Sequence, residues 1–150
     1  MAAKKFPKRD LFTEAVTKWK DRLWANDWLI DMYDAPDKLH AQEIPDGPVK
    51  GTGATPLAEI TPRLAYLTAA LYYDGPALDE MSDGDIDTVA LHEVCHLVAQ
   101  PLVSLLANVI NDAVPRGADD VYAKWLGEAN ERVATHIERI ARKGVKEWVD

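Results

Sequence analysis

The chain has 150 residues, 47% of them hydrophobic and 28% charged, a composition typical of one folded domain. Its formal net charge of -8 argues against a protein that binds nucleic acid through clustered Lys and Arg. A lone cysteine, Cys95, cannot form an internal disulfide, and the N-terminal residues do not follow a signal-peptide pattern. We therefore expect a single domain in the cytoplasm, with residues 1–9 as a flexible tail.

The first part of the chain predicts a helix, a strand and a loop. Apolar residues at three- and four-residue intervals follow Asp10, the expected N-cap, and predict one buried helix face. That face comprises Leu11, Val16, Trp19, Leu23 and Trp24. The aromatic and branched run from Trp28 to Tyr33 predicts a strand, and the many Pro, Gly and Asp residues from Pro36 to Pro56 predict a surface loop.

The segment from Ala58 to Tyr73 fits two patterns. Thr61 and Pro62 resemble the start of a helix that would stop at Gly75, and local propensity slightly favours this interpretation. Alternation of side chains instead favours a half-buried strand. Its inward residues would be Ala65, Leu67, Ala69 and Leu71. We predict the strand, because the family resemblance described below requires one here.

The second half of the chain is predicted to be helical. Asp83 and Asp85 are the expected caps of a helix that Pro101 should end or kink, and the apolar stretch from Leu102 to Ile110 continues the pattern. Asp119 or Asp120 should begin a last helix after a turn at residues 115–117. Its predicted apolar stripe contains Val121, Tyr122, Trp125, Ala129, Val133, Ile137 and Ile140. Polar residues interrupt the apolar segment 91–110, so no membrane span is expected.

The residues His92, Glu93, Val94, Cys95 and His96 form the sequence H-E-x-x-H. Two histidines four positions apart share one face of a helix, which is the arrangement that binds zinc. With a third protein ligand they leave one coordination position for water, which Glu93 can activate as a general base. The competing interpretation is an ordinary polar helix face. Cys95 points away from the histidines and is predicted to be a buried apolar thiol.

A third ligand must come from elsewhere in the chain. Metzincins place a glycine and a third histidine shortly after the first two, and residues 97–102 contain neither. Gluzincins use a glutamate from a later helix, where this chain has Glu128 and Glu131. We favour Glu131, because the small residues Gly127 and Ala134 share its side of the helix and allow close approach. Three other candidates remain: Asp112, Asp119 and His136. Candidates for stabilising the oxyanion are His136, Tyr122 and Arg132.

Two segments carry a family resemblance: residues 91–97, which contain the motif, and the glutamate-bearing residues 128–134. They resemble the short metallopeptidases of the zincin-like superfamily that phages and prophages encode, and the chain looks like a minimal gluzincin. The pair Asn130-Glu131 is similar to the start of the third-ligand motif in thermolysin-like enzymes. The gluzincin pattern of Asp or Asn four residues after the ligand is not met, since Thr135 follows Glu131 and Arg132 follows Glu128.

This resemblance implies an α+β fold: an N-terminal helix on a twisted sheet of about three strands, a helix with H-E-x-x-H and a C-terminal glutamate-bearing helix. It implies zinc-dependent hydrolysis of peptide bonds in the cytoplasm, that of the host if a phage encodes the protein. His92, His96 and either Glu131 or Glu128 would bind the zinc. The polypeptide substrate would pair with an edge strand at about Leu64 to Tyr73. A non-catalytic zincin-fold protein of a phage system that binds metal and a partner is the alternative.

Overall fold

The computed structural model describes residues 8–40, 57–113 and 119–147, and the predictions for residues 1–7, 41–56 and 115–117 lie outside them. The described part is α+β, with five α-helices and one three-stranded mixed sheet. In chain order the elements are α1 (Lys8–Arg22), β1 (Leu29–Asp34), α2 (Pro36–His40), β2 (Ala58–Arg63), a 3-10 turn (Leu64–Tyr66), β3 (Thr68–Tyr73), α3 (Gly75–Glu80), α4 (Asp83–Ala113) and α5 (Asp119–Glu147).

Helix α1 packs one apolar face on the core. Its buried residues are Phe12, Ala15, Val16 and Trp19. The helix begins at Lys8, before the predicted cap Asp10, so residues 8 and 9 are not part of a tail. The Lys8 ammonium pairs with Asp83 at the start of α4, which ties the two helices together. Trp24 was predicted to lie on the apolar face, but it follows the helix with a φ of 55° and is 90% exposed.

The sheet has β3 at its centre, parallel to β1 and antiparallel to β2. The strand prediction for residues 58–73 is therefore confirmed, but as two strands, because a 3-10 turn and Leu67, with a φ of 49°, reverse the chain. Ala69 and Leu71 are buried as predicted, whereas Ala65 and Leu67 lie in the turn region and are exposed.

The prediction that residues 64–73 provide a free edge is wrong. Both sides of β3 are hydrogen-bonded to neighbouring strands, so a peptide has no backbone groups to pair with there. Among the described strands, the sheet edges are β1 and β2. Strand β2 is the edge that packs against α4.

Side-chain caps fix the starts of α3 and α4. Helix α3 was not predicted; it begins where the Asp74 carboxylate accepts a hydrogen bond from the Ala77 N–H at 2.9 Å. For α4 the cap is Ser82 and not the predicted Asp83 or Asp85. The Ser82 Oγ accepts from the Asp85 N–H at 3.2 Å, which is the N-cap hydrogen bond, and it donates to the Asp85 carboxylate at 2.6 Å.

Pro101 was predicted to end or kink the helix. An end at that proline is wrong, because α4 is continuous over 31 residues and contains Pro101. Proline lacks an N–H, and the Leu97 carbonyl therefore loses its intrahelical partner. The helix divides in two by burial. Its first half crosses the core, whereas none of its side chains after Ala99 is buried.

Exposed apolar side chains mark the second half of α4 and the start of α5. They include Leu102, Leu105, Leu106, Val109, Val121 and Trp125. No membrane span was predicted from the sequence. Helix α4 is nevertheless long enough to cross a membrane, and 18 of its residues have a mean hydropathy of 1.5. Core helices of soluble proteins can have the same length and hydropathy.

Helix α5 packs along α4, but only part of the predicted stripe meets the core. Val121, Trp125 and Ile140 of that stripe are exposed, whereas Ile137 packs against the core. Beside Ile137 the same side has Ala134, which is fully buried, and Ala141. Ala134 was predicted to lie on the side that approaches the histidine helix, and its burial agrees with that prediction.

Candidate metal centre

The motif residues lie on the buried half of α4. Four apolar neighbours within the same two turns are fully or almost fully buried: Leu91, Val94, Cys95 and Leu97. They anchor the helix in the core and fix its rotation. Glu93 and His96 are consequently 6% and 8% exposed, and His92 is half-buried. The histidines share one face, as the spacing predicts, with ring centroids 4.9 Å apart.

Three side chains converge at this face: His92, His96 and Glu131. The Nε2 atoms of the two histidines are 3.3 Å apart. The Glu131 carboxylate reaches the His92 Nε2 at 3.3 Å and the His96 Nε2 at 3.5 Å. Ligands placed about 2.0–2.1 Å from a tetrahedral zinc are about 3.3 Å from one another. The donor set and its spacing therefore fit a zinc ion.

The other candidates for the third ligand do not join this group. Glu128 is exposed one turn away on α5, and Asp112 is exposed near the end of α4. His136 lies beyond Glu131 on α5, outside the three-residue group. The side chain of Asp119 is outside the described residues. Of the two glutamates left open by the sequence, the geometry selects Glu131.

The pKa values of His92, His96 and Glu131 are all shifted by their shared surroundings. The hydrogen bond to Glu131 is the main cause that raises the pKa of His92 to about 9, and the same contact lowers the pKa of Glu131. Burial has the opposite effect on the neighbouring histidine and lowers the pKa of His96. One imidazole is thus held neutral while the other carries a proton that a metal ion must displace.

A second glutamate, Glu138, holds the other ring nitrogen of His92. Its Oε2 lies 3.3 Å from the His92 Nδ1, and its Oε1 accepts a hydrogen bond from the Arg142 Nε at 3.0 Å. A carboxylate at Nδ1 fixes the imidazole tautomer and leaves Nε2 to face the metal. Glu138 was not among the site residues predicted from the sequence. The available signal was its position seven residues, about two helical turns, after Glu131.

Asn130 contacts the site from the same helix. The His96 Nδ1 and the Asn130 Oδ1 are both buried without a hydrogen-bond partner in the described part of the chain. The Asn130 side chain is nevertheless close enough to oppose the fall in the His96 pKa. A hydrogen bond between the His96 Nδ1 and the Asn130 Oδ1 would satisfy both atoms.

Glu93 is buried beside the ligands without belonging to their group. Burial raises its pKa to about 7, which the charge on His92 and a hydrogen bond from the Ile60 backbone partly oppose. A carboxyl group with this pKa exchanges protons near neutral pH, as a general base requires. The Ile60 contact also places Glu93 at the edge strand β2.

An open cavity of about 320 Å³ lies beside the third ligand. Its lining includes Glu131, Arg132, Thr135, His136 and Arg139. Two of the residues considered for oxyanion stabilisation, Arg132 and His136, are therefore next to the centre. The third, Tyr122, stacks edge-on with Trp125, with ring centroids 5.4 Å apart, and is not in this lining.

Cys95 is fully buried inside the motif, and burial raises the pKa of its thiol to about 12. A thiol with this pKa stays protonated and is a poor metal ligand. The prediction of a buried apolar thiol is confirmed.

A scan against protein-family models gives no match for this chain, and neither curated proteins nor solved structures give one. What the centre does must be argued from its own residues.

Proposed function

We propose that the protein is a zinc metallopeptidase of the gluzincin type, similar to the minimal enzymes that phages and prophages encode, and that it acts in the cytoplasm. The observation that carries the proposal is the triangle formed by His92, His96 and Glu131, with donor atoms 3.3–3.5 Å apart. Two imidazoles and one carboxylate are the ligand set of catalytic zinc, in which one coordination position stays open. A purely structural zinc site closes all four positions with protein ligands.

When bound, zinc supplies an acidified water and polarises the scissile carbonyl. Glu93 accepts the proton of the attacking water on its carboxylate and then delivers it to the departing amine. Its burial supports this role, because the raised pKa of about 7 lets the carboxyl group both take and give a proton near neutral pH. Glu138 orients the His92 imidazole, and burial keeps bulk water from Glu93.

The substrate class in this proposal is a polypeptide, bound along β2. Pro62 has no N–H, so it occupies a position of β2 whose backbone faces away from β3. By alternation, Ile60 faces the same way, which agrees with the hydrogen bond from its backbone to Glu93. The carbonyl groups of Ile60 and Pro62 can then accept hydrogen bonds from an extended peptide at the edge nearest Glu93.

The test compares zinc content and hydrolysis in the wild type, Glu93→Gln and His96→Ala, all purified without added metal. We expect about one zinc per chain in the wild type and in Glu93→Gln, and a loss of zinc in His96→Ala. Hydrolysis of fluorescently labelled casein should fall at least about 100-fold in Glu93→Gln, because only the general base is missing.

Each result has a distinct meaning. A wild type that takes up no zinc at micromolar concentration overturns the proposal. Stoichiometric zinc without hydrolysis of casein or of a random peptide library supports the alternative, a non-catalytic protein that uses the metal-stabilised fold to bind a partner. Equal hydrolysis by wild type and Glu93→Gln assigns the base to another residue.

A further inference from the structure

The cavity beside Glu131 is lined by cationic side chains. Arg132 and Arg139 line it together with His136 and the Thr135 hydroxyl. These residues recur at intervals of three and four along α5, so they form one stripe on the helix. The stripe leads away from the candidate metal ligand over about two helical turns.

The positive charge of this stripe is not neutralised. In the described part of the chain, neither Arg132 nor Arg139 forms an ion pair. Arg142, by contrast, is held by Glu138 at 3.0 Å, and Glu131 is committed to the two histidines. The chain has 25 acidic and 17 basic residues, so two unpaired guanidinium groups in one cavity are an exception to its overall charge.

We propose that this cavity binds an acidic side chain of the polypeptide substrate and makes the enzyme selective for Glu or Asp near the cleaved bond. The inference rests on the proposed function for its peptide and scissile bond. Guanidinium groups bind carboxylates through two parallel hydrogen bonds, and the Thr135 hydroxyl adds a donor.

The helix geometry sets the position of the acidic residue. Thr135 and Arg139 stand four and eight residues after Glu131, or about 6 and 12 Å along the helix axis. An extended peptide advances about 3.3 Å per residue. An acidic side chain about two to four residues from the scissile bond can cover such distances, so the probes carry Glu at these positions.

The experiment measures binding rather than turnover, on zinc-loaded Glu93→Gln protein. The probes are two fluorescent ten-residue peptides of identical design, with Glu or Gln at the second and fourth residues on each side of a central Ala-Leu bond. Fluorescence anisotropy at low salt should show the Glu peptide bound about tenfold more tightly, a preference that falls as salt screens it.

The added double variant Arg132→Gln and Arg139→Gln should lose the preference. Its matched control, Lys124→Gln and Lys143→Gln, removes the same charge from exposed positions of α5 outside the cavity lining and should keep it. The double variant Arg132→Lys and Arg139→Lys should retain part of the preference, because the charge remains while the paired hydrogen bonds are lost.

The inference is overturned if the two peptides bind equally, if neither binds at millimolar concentration, or if the double variant and its control behave alike. A repeat in EDTA separates this result from the proposed function. If the protein takes up no zinc but still prefers the Glu peptide, the anion site is supported and the metallopeptidase proposal fails. If the protein binds zinc and hydrolyses casein but binds the two peptides equally, the metallopeptidase proposal is supported and the anion site fails.

Discussion

The Nδ1 of His92 lies 3.3 Å from the Oε2 of Glu138, a residue two helical turns beyond Glu131 on the same helix. Glu138 is held in turn by Arg142, and its side chain is only 17% exposed. We expect Glu138→Gln to weaken zinc binding by about 10- to 100-fold, because the neutral amide no longer fixes the charge and tautomer of the imidazole. Competition with a chromophoric chelator measures the loss.

The control for this substitution is Glu128→Gln, which makes the same chemical change at an exposed position of α5. It should leave the zinc affinity within about twofold of wild type. If Glu138→Gln binds zinc as tightly as that control, Glu138 does not position His92.

The second prediction is that Glu131, and not Glu128, is the third metal ligand. Glu131→Gln should lose zinc during purification, since the carboxylate that approaches both Nε2 atoms is replaced by a poor ligand. Glu128→Gln should retain about one zinc per chain. The opposite pattern in elemental analysis would exchange the roles of the two residues.

Zinc binding should depend on pH through His92. Its pKa of about 9 means that at pH 7 the imidazole carries a proton, which zinc must displace. Affinity should therefore rise about tenfold per pH unit from pH 7 toward 9 and fall on acidification. In Glu131→Gln, which removes the main cause of the raised pKa, the slope between these pH values should be smaller. An affinity independent of pH over this range would contradict the prediction.

Burial of Glu93 should make the wild type less stable at high pH. Its pKa is raised from 4.5 to about 7, so between these values the folded chain binds more protons than the unfolded chain. The free energy of unfolding contributed by this group then falls as pH rises through that window. In EDTA at pH 8, we expect Glu93→Gln to be more stable than wild type by roughly 1–3 kcal/mol. Thermal unfolding should show this gap at pH 8 and its loss near pH 4.5.

Ala134 sets the spacing between α4 and α5, since its side chain is fully buried. Ala134→Leu should destabilise the fold by about 1–3 kcal/mol and weaken zinc binding, because α5 must move away with Glu131. Ala129→Leu adds the same volume at an exposed position of the same helix and serves as the control. Equal zinc affinities in the two variants would show that the helix spacing does not control the site.

The local parts of this site could be predicted from sequence. The pairing of His92 with His96 depends only on helix periodicity, and the side of α5 that carries Glu131 follows from the small size of Ala134. The apolar stripe of α5 misled the prediction, because Val121 and Trp125 are exposed and Trp125 packs on its neighbour Tyr122 rather than on the core.

Long-range features were not accessible in the same way. The order of strands depends on pairing between residues 29–34 and 68–73, which no local pattern encodes, so the free edge was assigned to β3 instead of β2. Glu138 was not predicted, because the gluzincin pattern draws attention to the position four residues after Glu131, which is Thr135. The residue that contacts the His92 Nδ1 stands three residues further on.

The uneven burial of α4 and α5 has a consequence for the order in which the site assembles. His92 and His96 are built into a helix whose neighbours are fully buried, so this half of the centre forms with the core. Among the described side chains of α5, only Ala134 is fully buried, and the helix that delivers Glu131 is therefore weakly docked by packing alone. Capture of a metal ion by the histidines would then recruit α5 through Glu131, making zinc uptake the last step of folding.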